Sequence, residues 1–201
     1  MKTNRAFDFF FVLFLVVGLG LAAFNRQHIR DWWTLRSYQP STQVSQLATN
    51  AGFNNEGRRL FYISNPQFVS QADLDQTCSP ENLGCIKPNG QIFLLQVSPV
   101  ESQDDLVVTA AHEMLHQAYR RLSNTEKATL AKLSEAYLAS SDNDSLKTEM
   151  AGITDPDERA DELHSILGSE ILDLPSGLIE HYDRYFSDRS LSTKAYDQTQ
   201  K

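Results

Sequence analysis

The hydrophobic and polar positions change their period twice along the chain. Residues 9–24 (FFFVLFLVVGLGLAAF) are 16 uncharged, almost wholly apolar residues without any polar repeat. A stretch with no side for water predicts a membrane segment, slightly short of the ~20 residues that span a bilayer but extended by its flanks. Lys2 and Arg5 precede it, and Arg26, Arg30, Trp32 and Trp33 follow. A cleavable signal peptide is the alternative, with Gly20 and Ala22 as small residues for a cleavage site. The length of the run and the interfacial character of Trp32-Trp33 favour an anchor.

Beyond an amphipathic juxtamembrane stretch at 27–38, Pro40-Ser41-Thr42 punctuates the chain and predicts a short helix at 43–50, capped by Ser41 or Thr42 and stopped at Ala51-Gly52. Residues 59–64 (RLFYIS), rich in aromatic and branched side chains and closed by Asn65-Pro66, read as a strand. Residues 91–98 (QIFLLQVS), between Pro88-Asn89-Gly90 and Pro99, read likewise. From Ser102 the period becomes helical. Helices are expected at 102–121, at 127–139 behind a Ser123-Asn124-Thr125-Glu126 capping box, at 146–151, at 156–168 and at 175–185. The polar tail after Ser187 is expected to fray. The fold class is therefore α+β: a small amino-terminal β-sheet followed by a mostly helical domain, preceded by one transmembrane helix.

Composition bounds this picture. With 201 residues, 41% hydrophobic and 22% charged, the chain suggests one principal domain. Outside residues 1–30 it carries 14 basic and 25 acidic residues, a net charge of −11. Nucleic acid is thus no expected partner, since Arg58-Arg59 and Arg120-Arg121 are isolated pairs and not a basic stripe. Charges flanking the apolar run are balanced and leave the orientation open. Cys78 and Cys85, in a loop rich in Pro, Gly and Asn, can close a small disulfide ring, or else remain two thiols. A ring would persist only in an oxidising compartment, which favours a single-pass protein of the cell membrane with its carboxy-terminal domain outside the cytoplasm.

The chemistry concentrates in residues 109–117, TAAHEMLHQ. On a helix His112 and His116 share one face, their Cβ atoms ~5–6 Å apart, so both imidazoles can reach one ion. Zinc takes such neutral nitrogens, and its catalytic sites use three protein ligands and leave a fourth place for water. Glu113 lies about 100° round the helix from His112, where a carboxylate can act as general base on that water. The preceding LVVTAA is uncharged, so the helix is buried on most sides, and ionisable groups there need partners. The bland alternative is two partly exposed histidines beside a surface glutamate. No GxSxG elbow, GxxxxGK[ST] loop or GxGxxG is present.

With HEMLH, an edge-type strand QIFLLQVS before its helix and a glutamate-rich helix 40 to 60 residues on, the chain resembles the zincin metallopeptidases over about residues 58–172. Within them it is most similar to the gluzincins, although it lacks both the NExxSD-type signature and the third histidine of metzincins, as in a small divergent membrane-anchored group. The resemblance implies a zincin-like metallopeptidase domain at 43–187, between a juxtamembrane segment at 31–42 and a polar tail at 188–201, with the stub and anchor at 1–30. It further implies one zinc ion per chain, a protein or peptide substrate paired with a strand, the base Glu113, and a third ligand from a downstream helix. For that ligand PDERADELHSILGSE offers Glu158, Glu162, His164 and Glu170. Glu162 is preferred: it is mid-helix and borders the apolar stripe through Ile166. Glu158 sits in the first turn, His164 has the character of a core histidine, and Glu170 follows Gly168. Asp161 or Ser165 could orient a zinc histidine. His181, Tyr182 and Tyr185 suit packing better than an oxyanion role. The competing class is a non-catalytic metal-binding or protein-binding module on the same scaffold; retention of Glu113 speaks for the enzyme.

Overall fold

Short polar side chains at the entrances explain where most helices begin. The computed structural model describes residue 14 and residues 26–78, 82–96 and 103–201. Apart from residue 14, the apolar run at 9–24 lies outside the described residues, as does the end of the strand expected at 91–98. Among the described residues no helix is long and apolar enough to cross a membrane. The chain falls into two units, residues 1–39 and 40–201.

The first unit contributes α1 (Arg26–Ser37). In the second, the Ser41 hydroxyl accepts from the Val44 N–H at 3.2 Å and caps α2 (Thr42–Asn50), which stops before Gly52 at φ +75°. Asn54 caps α3 (Asn55–Ile63), its Oδ1 accepting from the Glu56 and Gly57 N–H groups. The strand expected at 59–64 is thus corrected to a helix. The Asn54 cap and the burial of Gly57, Leu60, Phe61 and Ser64 at helical spacing outweigh the β preference of Phe61, Tyr62 and Ile63.

The sheet is smaller than the sequence suggests and differently built. It comprises β1 (Gln67–Val69), β2 (Gly84–Ile86) and β3 (Ile92–Leu95) in the order β1-β3-β2, with α4 (Gln71–Thr77) inserted after β1. β1 runs parallel to β3, with Gln67 opposite Phe93, and β2 runs antiparallel to it, with Cys85 opposite Phe93. The strand read in QIFLLQVS is therefore central, and β2 is an edge. A turn at Lys87-Pro88-Asn89-Gly90 joins them, closed by the Gly90 N–H on the Lys87 carbonyl at 2.8 Å with Gly90 at φ +89°. Cys78 and Cys85 are joined in a disulfide that ties β2 to the end of α4, with Cα atoms 5.9 Å apart.

The helical half follows as α5 (Gln103–Tyr119), α6 (Asn124–Ser140), α7 (Asp144–Gly152), α8 (Pro156–Ser169), α9 (Ser176–Tyr182) and α10 (Ser190–Thr199). Ser123 and Glu126 form the capping box of α6, and Asp155 caps α8 ahead of Pro156. Leu106, Val107, Ala110, Ala111, Met114, Leu115 and Ala118 are all buried on α5, which packs against α8, α10, α3, α2, β2 and β3. The three alanines let neighbours approach closely, so α5 is the axis of the domain. The tail expected to fray is instead the helix α10, docked on α5 and α8 through buried Ser192, Thr193 and Ala195. Arg189, just before it, donates to the Leu167, Ile171 and Leu172 carbonyls around the end of α8. Those carbonyls would otherwise lack partners.

Candidate metal centre

His112 and His116 project from the carboxy-terminal half of α5 toward α8, and Glu162 comes back from α8 to meet them. The two imidazole Nε2 atoms lie 3.0 Å apart, Glu162 Oε1 is 3.3 Å from His112 Nε2, and Glu162 Oε2 is 3.5 Å from His116 Nε2. These three side chains form a group that could hold a metal ion, the one such group among the described residues. The spacing fits. Ligand atoms about 2.0–2.1 Å from a tetrahedral zinc stand roughly 3.3 Å from each other, close to the Nε2–Nε2 separation and to the distance from each histidine to its nearer Glu162 oxygen, and one ligand atom from each of the three residues lies within 4.8 Å of the other two. The donor set of two neutral nitrogens and one carboxylate also suits zinc.

Around the group stand groups that orient it. Asp161 Oδ1 accepts from His116 Nδ1 at 2.8 Å, which holds the proton on Nδ1 and leaves the Nε2 lone pair for an ion. Glu170 Oε1 is 3.8 Å from His112 Nδ1, an ion-pair distance and too long for a direct hydrogen bond. The Glu170 carboxylate, with Glu149, also reaches Tyr196 of α10 and, with burial, pushes that phenol up. Burial disfavours a charged His112, but the Glu162 and Glu170 carboxylates, helped by Glu113, outweigh it and hold the imidazolium well above its ordinary range. A divalent cation would take the place of that proton.

Glu113 is only 7% exposed, yet it reaches the same cleft. Burial pushes its carboxyl up, against the pull of His112 and His116 and of the Ile86 backbone N–H. The edge strand β2 therefore faces the glutamate across the cleft. The cleft has a volume of ≈ 530 Å³; one wall is Asn82 to Ile86 and the other is formed by α5 and α8. Gly84 lets β2 lie this close to α5, since a Cβ there would sit 2.7 Å from Thr109 Cγ2.

The remaining residues singled out from the sequence are placed as follows. Glu158 lines the rim of the cleft, exposed in the first turn of α8, and is not in the group. His164 is fully buried on another side of α8, its Nε2 3.0 Å from His181 Nε2 and its ring stacked on Tyr182. His181 thus packs behind α8 and opens on a separate cleft with Glu126 and Leu133. Ser165 is buried, and its hydroxyl makes no hydrogen bond to either site histidine. Two contributors were not anticipated. One is Ile86, whose strand the Pro88-Asn89-Gly90 turn could have revealed, because it separates GCI from IFLL as a hairpin does. The other is Tyr196, for which a polar tail holds no signal.

No family model, no curated protein and no solved structure matches the chain. The class of site is defined by its geometry alone: an HExxH-like helix with a glutamate from a second helix, a group that could hold a metal ion.

Proposed function

We propose that this protein is a membrane-anchored zinc-dependent endopeptidase that hydrolyses peptide bonds in proteins or peptides. The observation that carries the reading is the mutual placement of the His112, His116 and Glu162 ligand atoms, with Glu113 reaching the same cleft. His112, His116 and Glu162 would hold the ion, and Asp161 would orient His116. Zinc would supply a Lewis acid that makes water nucleophilic near neutral pH. Glu113 takes the proton of the attacking water and passes it to the leaving amine; its raised affinity for protons suits both transfers. β2 is an edge of the sheet and faces the cleft, so its backbone can pair with an extended peptide and lay the scissile bond across the site.

The test starts with metal content. Purified protein is expected to bind one zinc per chain and to lose it when His112, His116 or Glu162 becomes alanine. Glu113→Gln keeps the metal and lowers peptide turnover by about 10²–10⁴-fold. Metal-free protein whose melting temperature zinc does not raise would sink the reading. Zinc binding without cleavage of any peptide in a library would leave the non-catalytic module.

For the address, the apolar run at 9–24 supports a single-pass anchor in the lipid bilayer of the cell membrane. The Cys78–Cys85 disulfide supports a domain outside the cytoplasm. Protease added to intact cells should then digest the domain. Cys78 and Cys85 both alkylated without prior reduction, in protein taken from the membrane, would speak against it.

A further inference from the structure

Both tryptophans of the chain stand side by side on α1, and both are exposed: Trp32 at 52% and Trp33 at 62%. Ile29 is exposed as well. At 100° per residue, Ile29, Trp32, Trp33 and Arg36 fall within an arc of about 100°, with Arg26 on its flank and Arg30 beyond it. Asp31 points the other way and is buried. The helix therefore shows an aromatic and aliphatic face bordered by three exposed arginines, and its one acidic residue is withdrawn from that face. The Arg36 guanidinium lies 5.1 Å from the centre of the Trp32 ring, and Trp32 and Trp33 meet edge to face at 5.1 Å.

We propose that α1 lies in the plane of the membrane surface, with Ile29, Trp32 and Trp33 at the level of the acyl-chain boundary and Arg26, Arg30 and Arg36 on anionic lipid headgroups. Three features select lipid over a protein partner. Tryptophan paired with arginine is the composition favoured where apolar and polar layers meet. Arg26 stands two residues after the apolar run at 9–24, so a bilayer that receives that run receives residues 26–37 at its surface. Charge is divided between the units: residues 1–39 carry five basic and two acidic residues, whereas residues 40–201 carry 13 basic and 24 acidic. An anionic surface attracts the first unit and repels the second. This inference rests on the reading of residues 9–24 as a membrane anchor, and is independent of the peptidase reading and of which face of the bilayer the domain occupies.

The two tryptophans are the chain's only ones, so intrinsic fluorescence reads this helix directly. Full-length protein is reconstituted in phosphatidylcholine vesicles with and without phosphatidylserine. Quenching is measured with acrylamide in the water and with lipids brominated near the headgroup or near the chain end. The expected result is protection from acrylamide by about threefold or more, with shallow bromines quenching more than deep ones. Phosphatidylserine increases the protection. The Arg26→Gln, Arg30→Gln, Arg36→Gln triple variant loses that increase, each arginine contributing roughly fivefold to association with an anionic surface. Trp32→Phe and Trp33→Phe each leave one reporter, and both reporters show shallow quenching. Acrylamide quenching as strong as in urea-unfolded protein overturns the proposal. So does protection from both acrylamide and brominated lipid, which means a protein covers the face. Stronger quenching by deep bromines overturns it too, since α1 would then enter the bilayer, and protection that ignores phosphatidylserine overturns the headgroup contact.

Discussion

Asp161 decides which nitrogen of His116 is free, because a neutral imidazole that donates from Nδ1 presents its Nε2 lone pair. Removing that acceptor leaves the ligand in place but lets its ring and tautomer drift. Asp161→Asn is expected to weaken zinc binding 10–100-fold, measured by competition with a chelator, with the fold's melting temperature in the metal-free state little changed. Unchanged affinity would reduce Asp161 to a surface acid. His112 lacks so short a bond, since Glu170 stands 3.8 Å away. Both histidines thus face carboxylates of α8, His116 through the direct Asp161 bond and His112 through the charge of Glu170 at the helix's C-terminal cap.

Elements meet at this site through very small residues. Gly168 stands near the end of α8, where a Cβ would lie 2.4 Å from Leu115 Cδ1 and 2.5 Å from Tyr182 Cε1, both fully buried side chains. Neither has room to retreat, so Gly168→Ala should cost about 1–3 kcal/mol by overpacking, in spite of alanine's better helix propensity. Chemical denaturation would show it, and a stabilised variant would contradict the packing. The same approach of α8 to α5 sets the distance from Glu162 to the histidines, so zinc affinity should fall with stability. On the opposite wall the disulfide closes a short loop that holds β2, and with it Ile86 and Glu113. Loop-closure entropy assigns such a ring about 2–3 kcal/mol. Dithiothreitol should therefore lower the melting temperature and slow turnover, and a Cys78→Ser, Cys85→Ser variant should reproduce both effects; equal stability with and without the reductant would mean that β2 is held by its pairing to β3 alone.

For the molecule as a whole, the pair His164–His181 couples stability to pH. Burial, with Arg184 nearby, lowers His181 from its ordinary value near 6.5 to about 4. Between these values the unfolded chain binds a proton that the folded chain refuses. Stability is then fully present above about pH 6.5 and is lost as pH falls toward 4, by roughly 3 kcal/mol for this group. His164, fully buried beside it, is lowered in the same direction by burial and by His181. Melting temperatures of the metal-free protein across this window should decline less steeply in His181→Gln than in wild type. Parallel declines would assign the loss to carboxylates instead.

How much of this is legible in the chain depends on the range of the forces involved. HEMLH prescribes the paired histidines because four residues of helix bring two side chains together whatever surrounds them. The caps at Ser41 and Ser123 are equally local and stand where the residues predict them, and the ring from Cys78 to Cys85 is one of the two states that the spacing allows. Tertiary packing decided the rest. RLFYIS became a helix because Asn54 caps it and its Leu60 and Phe61 find the core at helical spacing. The tail became α10 because Ser192, Thr193 and Ala195 are small enough to lie against α5 and α8, a fit that no hydrophobic pattern records. The sequence favours Glu162 over Glu158, Glu170 and His164 only by its place on the helix. What places it 3.3 Å and 3.5 Å from the two histidines is the angle and spacing at which α8 crosses α5, properties of two surfaces in contact and not of either segment alone.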